Sequence, residues 1–241
     1  MVLKEAKRPF YHWNDEQNEV WNLMYTRQYP RIKDRTCQWY QEGHELLKLS
    51  KDVIPSGEAL NSVFQERTNW ELVSTDVQYS DGQSWFEHLI QRKFLITEYI
   101  REKDSLDYTP LPDIFHDVFG HLPMQVHQRY ANLTEEYAHL MLECPPDVRV
   151  GLGSIWWYTI EFGFIIEDSE IKAFGAGLMS SYAEFDLAFS DKMIRRPFNP
   201  VDIAQHKPSP HEWHKILWVM QDFEQLEEFV AQQRQYFRVL Y

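Results

Sequence analysis

The stretch PDIFHDVFGHLP, residues 112–123, sets two histidines five positions apart, His116 and His121, with Gly120 just before the second and a proline at either end. An α-helix turns about 100° per residue, so a five-residue step leaves two side chains about 140° apart, too far round for one metal ion. A four-residue step would serve. Gly120 is free to leave helical backbone, and Pro123 stops a helix soon after. The expectation is therefore a helix that breaks between the histidines and lets His121 swing back toward His116. Two histidines brought together in this way suggest a metal site.

A third ligand should be a carboxylate or thiolate on a neighbouring element. Working outward, the best candidate lies in SIWWYTIEFGF, residues 154–164, where Glu161 sits in an otherwise almost wholly apolar run. A buried carboxylate needs a cation or must take up a proton. Two histidines and one carboxylate with open positions describe the facial triad of non-haem Fe(II) oxygenases. Zinc hydrolases use the same ligand types, so iron and zinc both stand at this point.

Composition narrows the partners. Net charge is −13, which argues against nucleic acid. Aromatics make up 15% of residues, as suits a ring-rich core or pocket. Cys37 and Cys144 lie far apart and imply neither a disulfide framework nor a thiolate zinc motif. The opening MVLKEAKRPF lacks an apolar signal region and no apolar run reaches membrane-spanning length, so a cytoplasmic protein without a membrane partner is expected.

In chain order, residues 1–13 read as an extended arm, and Asn14 as the N-cap of a helix to about Tyr29. Its buried stripe is Val20, Trp21, Met24 and Tyr25, and Pro30 ends it. Helices follow at Asp34–Ser50 and from Ser56 to about Arg67, then extended chain and loop over 70–82. Ser84 caps a short helix, and Phe94–Ile100 alternates as a strand. Helices are expected over 126–142, around Glu161 and over 180–189. IKAF and KILWVM read as strands, GAGL (residues 175–178) as a turn, and Asp222 as the cap of a final helix. GAGL lacks the spacing of a phosphate loop. The fold class is mostly α with a few short strands, in a single domain over 1–241.

Three runs carry a resemblance: YTPLPDIFHDVFGH (108–121), WWYTIEFGF (156–164) and IKAFGAGLMSS (171–181). Their order and spacing resemble the catalytic domain of the pterin-dependent aromatic amino acid hydroxylases, of the bacterial phenylalanine hydroxylase type. The likeness extends over nearly the whole chain, which is too short to add a regulatory domain. It implies Fe(II) held by His116, His121 and Glu161, a tetrahydropterin such as tetrahydrobiopterin, and O2 as co-substrate. The activity implied is ring hydroxylation of a free aromatic amino acid, L-phenylalanine to L-tyrosine, by a monomer or weak homo-oligomer.

By the same resemblance Arg101 pairs with the substrate carboxylate, a role that suits a guanidinium. Thr109 and Ser180 support the amino acid or the first histidine. Pro112, Trp157 and Phe162 wall the ring pocket, Trp85 stacks on the pterin, and Asp117 lies near the pterin's polar edge. Two departures stand out. The segment STDVQYSDGQ (74–83) lacks the family's Gly-Leu-Leu-Ser, and Trp156 replaces a tyrosine, removing a hydroxyl near the metal. Alternatives are hydroxylation at another ring position or of tyrosine or tryptophan, a zinc hydrolase with Asp117 as base, and a non-catalytic amino acid or pterin binder.

Overall fold

The computed structural model describes residues 9–77, 82–107, 111–209 and 212–240. Residues 9–13 carry no regular structure, as the expected arm requires, and the first eight positions of that arm lie outside the described residues. Asn14 and Gln17 cap each other's backbone at the start of α1 (Asp15–Ile32). The expected stripe is buried. Pro30 does not end α1, which runs two residues further, burying Ile32 and letting Arg31 reach Asp186. Helix α2 (Gln38–Leu46) is shorter than expected, since Lys48 adopts a left-handed φ of 51° just beyond it. The Ser56 hydroxyl caps α3 (Gly57–Thr68).

Strand β1 (Glu71–Thr75) then pairs in parallel with β2 (Lys93–Thr97), with α4 (Gly82–Leu89) between them in sequence. Helix α4 begins ahead of Ser84, which is therefore inside it rather than its cap. The histidine segment forms a π-helical turn, Phe115–His121, which runs without a break into α5 (Leu122–Gln125). Helices α6 (Gln128–Glu143) and α7 (Pro146–Trp156) follow, and α7 winds directly into a second π-helical turn, Trp157–Glu161.

Gly163 leads into the antiparallel pair β3 (Phe164–Glu167) and β4 (Glu170–Ala173), turned by Asp168 and Ser169 at positive φ. The GAGL run is not a turn: Gly175 precedes a short helix α8 (Ala176–Ser180). Ser181, not Ser180, stands at the N-cap of α9 (Tyr182–Phe189). After β5 (Ile194–Pro197), α10 (Pro200–Ala204) and β6 (Ile216–Met220), the final helix α11 (Glu224–Leu240) is capped by Asp222 accepting from Gln225 N at 3.0 Å. The second sheet runs β4-β3-β6-β5, with β6 parallel to both β3 and β5.

The chain is mostly helical with small sheets, as expected. Its core is one cluster running from Val20 to Phe237, with Trp21, Trp70, Trp218, Phe115 and Phe119 among its fully buried rings. Ring-rich packing of this kind gives the two π-helical turns rigid walls. No helix among the described residues is long and apolar enough to cross a membrane.

Candidate metal centre

A π-helix bonds residue i to i+5, so a five-residue step brings two side chains over one another where an α-helix would splay them. The Leu122 N–H donates to Asp117 O, five back, and the two imidazoles face each other edge to face. Their Nε2 atoms are 3.0 Å apart. The pairing of His116 with His121 is as expected, but its means is not: the helix widens rather than breaks. Gly120 stays right-handed within the turn, and its role is closeness. A Cβ there would sit 2.7 Å from Ala176 O on α8. Pro123 starts α5 instead of stopping a helix, and the Tyr40 hydroxyl donates to Phe119 O at 2.8 Å, pinning the widened turn from outside.

Glu161 ends the second π-helical turn, in which Phe162 N–H donates to Trp157 O at 2.8 Å. Its Oε1 lies 3.3 Å from His121 Nε2 and its Oε2 3.6 Å from His116 Nε2. Gly175 and Gly177 account for the GAGL run: a Cβ on Gly175 would fall 2.3 Å from the Glu161 backbone, and one on Gly177 2.7 Å from the Phe162 ring. The two glycines let α8 press both ligand-bearing turns together.

Hydrogen bonds fix where the lone pairs point. The Ser180 hydroxyl donates to Ala176 O at 2.9 Å, so its oxygen accepts from His116 Nδ1, also at 2.9 Å. His116 therefore carries its proton on Nδ1 and aims a bare Nε2 into the site, the orientation a metal ligand needs. Burial and the neighbouring His121 hold His116 down at about 4, against the pull of Glu161. Burial opposes ionisation of Glu161, yet His121, His116 and the Trp156 indole bring it down to about 2. His121 is raised because Glu161 outweighs its burial. Glu161 thus favours a proton on His121, which His121 would have to give up to ligate a cation. Three ligand atoms all within 4.8 Å of one another suit one face of a shell around a single ion. The donor set fits the metal. Trp156 does not leave a gap where the family tyrosine stands: its indole N–H donates to Glu161 Oε1 at 3.3 Å.

Arg101 lies near the ligands through a residue that sequence patterns did not single out. Asp113, fully buried, accepts from Arg101 Nε at 2.7 Å, from Nη2 at 3.0 Å and from the backbone N–H groups of Arg101 and His116, both at 3.1 Å. Its place three residues before His116, behind a proline, was the available signal, that of a helix-capping aspartate. Asp117 is not an exposed helix carboxylate. It is buried and accepts from Thr97 N–H at 2.8 Å, locking the turn to the end of β2, and burial pushes its carboxyl up to about 7.

Trp157 and Phe162 pack ring to ring, 4.8 Å between centroids, and Pro112 is half-buried. The Trp157 indole N–H donates to His214 Nε2 at 2.7 Å, and His214 pairs with Glu184; neither partner was foreseen. Trp85 reaches the centre only through a second ring. It meets Phe94 edge-on at 5.1 Å, and Phe94 stands 5.5 Å from His121. Thr109 and part of the 74–83 segment lie outside the described residues.

Comparison with known proteins agrees with this geometry. A phenylalanine-4-hydroxylase of Pseudomonas aeruginosa is 35% identical over 193 residues, 80% of this chain and 73% of that one. The phenylalanine hydroxylase of Chromobacterium violaceum superposes with a TM-score of 0.86 in its cobalt-bound crystal structure, at 27% identity over 97% of this chain and 88% of the other. Its structure with bound oxidised Fe(III) gives 0.87, at 28% identity over 95% and 84%. A family model described as biopterin-dependent aromatic amino acid hydroxylase matches residues 4–241. With two imidazoles and a carboxylate gathered by paired π-helical turns, this chain belongs to the biopterin-dependent aromatic amino acid hydroxylases.

Proposed function

We propose that this protein is a phenylalanine 4-hydroxylase acting as a single catalytic domain, with Fe(II) as its metal, a tetrahydropterin as reductant and O2 as co-substrate. The observation that carries this is the face formed by His116, His121 and Glu161, whose donor atoms lie within 4.8 Å of one another, with the packed rings of Trp157 and Phe162 at the two ends of the turn that carries Glu161. Bound there, iron would activate O2, the oxidant, with two electrons from the tetrahydropterin, so that one oxygen atom goes to the ring and the other is reduced to the level of water.

The chain's own residues do the rest. Ser180 holds the His116 tautomer, and Trp156 steadies one oxygen of Glu161. Arg101, held by Asp113, offers its remaining guanidinium donors to the substrate carboxylate, and Thr109 keeps the supporting role that the resemblance gives it. Pro112, Trp157 and Phe162 keep the ring in place and exclude water. Trp85 and Asp117 serve the pterin side, Asp117 by fixing the turn that carries the histidines. The protein works in the cytoplasm as a monomer or weak homo-oligomer, with a free aromatic amino acid, pterin and O2 as its only partners.

The test is aerobic turnover with Fe(II), a tetrahydropterin and each of Phe, Tyr and Trp, products being separated by mass and retention time. Para-tyrosine from Phe is expected, and Glu161→Gln should lose both iron and product. Full iron content and activity in that variant would overturn the ligand assignment. Meta-tyrosine or a hydroxylated tryptophan would retain the chemistry and refute the substrate or ring position.

A further inference from the structure

Behind the ring wall lies a buried acid–base pair that none of these roles uses. Glu184, on α9, and His214, just ahead of β6, are 7% and 9% exposed. Glu184 Oε1 accepts from the His214 backbone N–H at 3.3 Å and from its Nδ1. On the opposite edge of the same imidazole, Nε2 faces the Trp157 indole nitrogen. An indole N–H can only donate, so Nε2 holds a lone pair and the ring proton sits on Nδ1, against Glu184. The chain of contacts has one consistent protonation pattern, carboxylate to imidazole to indole. The carboxylate makes Nε2 a stronger acceptor than an isolated imidazole offers. The His214 ring also packs, tilted, on Phe162 at 4.4 Å and roughly perpendicular to Tyr158 at 5.5 Å. A single side chain thus touches three residues of the segment that ends in and follows the Glu161 turn.

We propose that Glu184 and His214 are positioning residues for the aromatic substrate: together they set the plane of the Trp157 indole and so which ring carbon faces the metal. This rests on the role given to Trp157 in the ring pocket. A core histidine would need only burial and one partner. Here both nitrogens are committed, and the second is committed to the one pocket residue with a donor to orient. Small displacements of a reacting ring cost large factors in rate, so the indole's plane governs ring position as well as affinity.

The experiment compares wild type with His214→Phe, which keeps a ring but has no acceptor, and His214→Gln, which restores one. In the Zn(II)-loaded protein, the Trp157 indole 15N–1H resonance, assigned with Trp157→Phe, should lie downfield in wild type and move upfield in His214→Phe. In the Fe(II) enzyme, His214→Phe should raise the KM for phenylalanine about tenfold, the worth of one hydrogen bond, and release meta- or ortho-tyrosine beside the para product. His214→Gln should return both signals toward wild type. Glu184→Gln, which removes only the charge, should shift the resonance partway and serves if His214→Phe does not fold. An undisplaced wild-type resonance would overturn the proposal. So would His214→Phe with a moved resonance but unchanged KM and products. Absence of any ring hydroxylation by wild type would instead refute the proposed function and the pocket on which this inference rests.

Discussion

Asp113→Ala isolates the residue that ties the two halves of the site together. The carboxylate is fully buried and accepts four hydrogen bonds, two from the Arg101 side chain and one each from the backbones of Arg101 and His116. Removing it leaves a guanidinium that is 5% exposed without its counter-charge. Breaking a buried pair from one side costs about 3–5 kcal/mol, because the surviving charge has no solvent to return to. With a urea m-value of about 3 kcal/mol/M, a loss of about 4 kcal/mol moves the unfolding midpoint down by about 1.3 M. The double variant Arg101→Met/Asp113→Leu separates structure from function. An apolar pair of similar volume is often as stable as the ion pair it replaces, so the midpoint should recover to within about 0.5 M of wild type. Phenylalanine affinity, measured by calorimetry on the Co(II)-loaded protein, should not recover. A midpoint unmoved by Asp113→Ala would refute the energetic argument. Recovery of full affinity in the double variant would show that Arg101 holds the loop and not the substrate.

Two further perturbations follow from the packing. Gly175→Ala would place a methyl group 2.3 Å from the Glu161 backbone, whereas Gly153 has nothing within 4 Å of an added Cβ. Gly175→Ala should therefore lower stability by about 1–3 kcal/mol and reduce iron content, while Gly153→Ala, inside α7, should gain about 0.5–1 kcal/mol and keep its metal. Thermal unfolding with metal analysis checks both. His44, buried among Tyr25, Tyr29 and Phe119, is pushed from the usual 6.5 to about 4 by burial. The unfolded chain takes up a proton that the folded one refuses, so stability is full above about pH 6.5 and declines as pH falls toward 4, by about 3 kcal/mol in all. As pH falls across that range the urea midpoint of wild type should drop relative to that of His44→Phe, and parallel curves would sink the argument.

The cluster of candidate ligands was legible because metal chemistry restricts residue type: His116, His121 and an acid in an apolar run have few other reasons to occur together, and the fold gathers them. The local geometry was not. Helical periodicity is judged against 3.6 residues per turn, and on that template a five-residue step demands a break. The chain instead changes pitch, and what permits the change lies elsewhere in sequence: the Tyr40 hydroxyl on Phe119 O, and Asp117 on the end of β2. The GAGL run misled for a similar reason. Glycine signals freedom or closeness, and only the backbone of Glu161 against Gly175 decides for closeness. Ends of elements were legible where a local cap forms, as at Asn14 and Ser56, but not at Ser84, which lies inside α4, nor where burial overrides a breaker, as at Pro30.

The same division governs what holds the candidate ligands in place. A histidine pair on an α-helix at a four-residue step would need no outside help, since the ladder itself sets its register. A five-residue step on a π-helical turn is less stable on its own, and it survives only when neighbours fix each ligand from the side. The structure shows that support at every ligand: Ser180 on His116, Phe94 against His121, Trp156 on Glu161. A centre built on π-helical turns therefore draws support from α8 and β2, which are distant in sequence, as well as from Trp156 at the end of α7, which runs straight into the Glu161 turn. Ser180 and Trp156 stand within the runs that carry the family resemblance, but the contacts that make them supports, like that of Phe94, are set only by the fold.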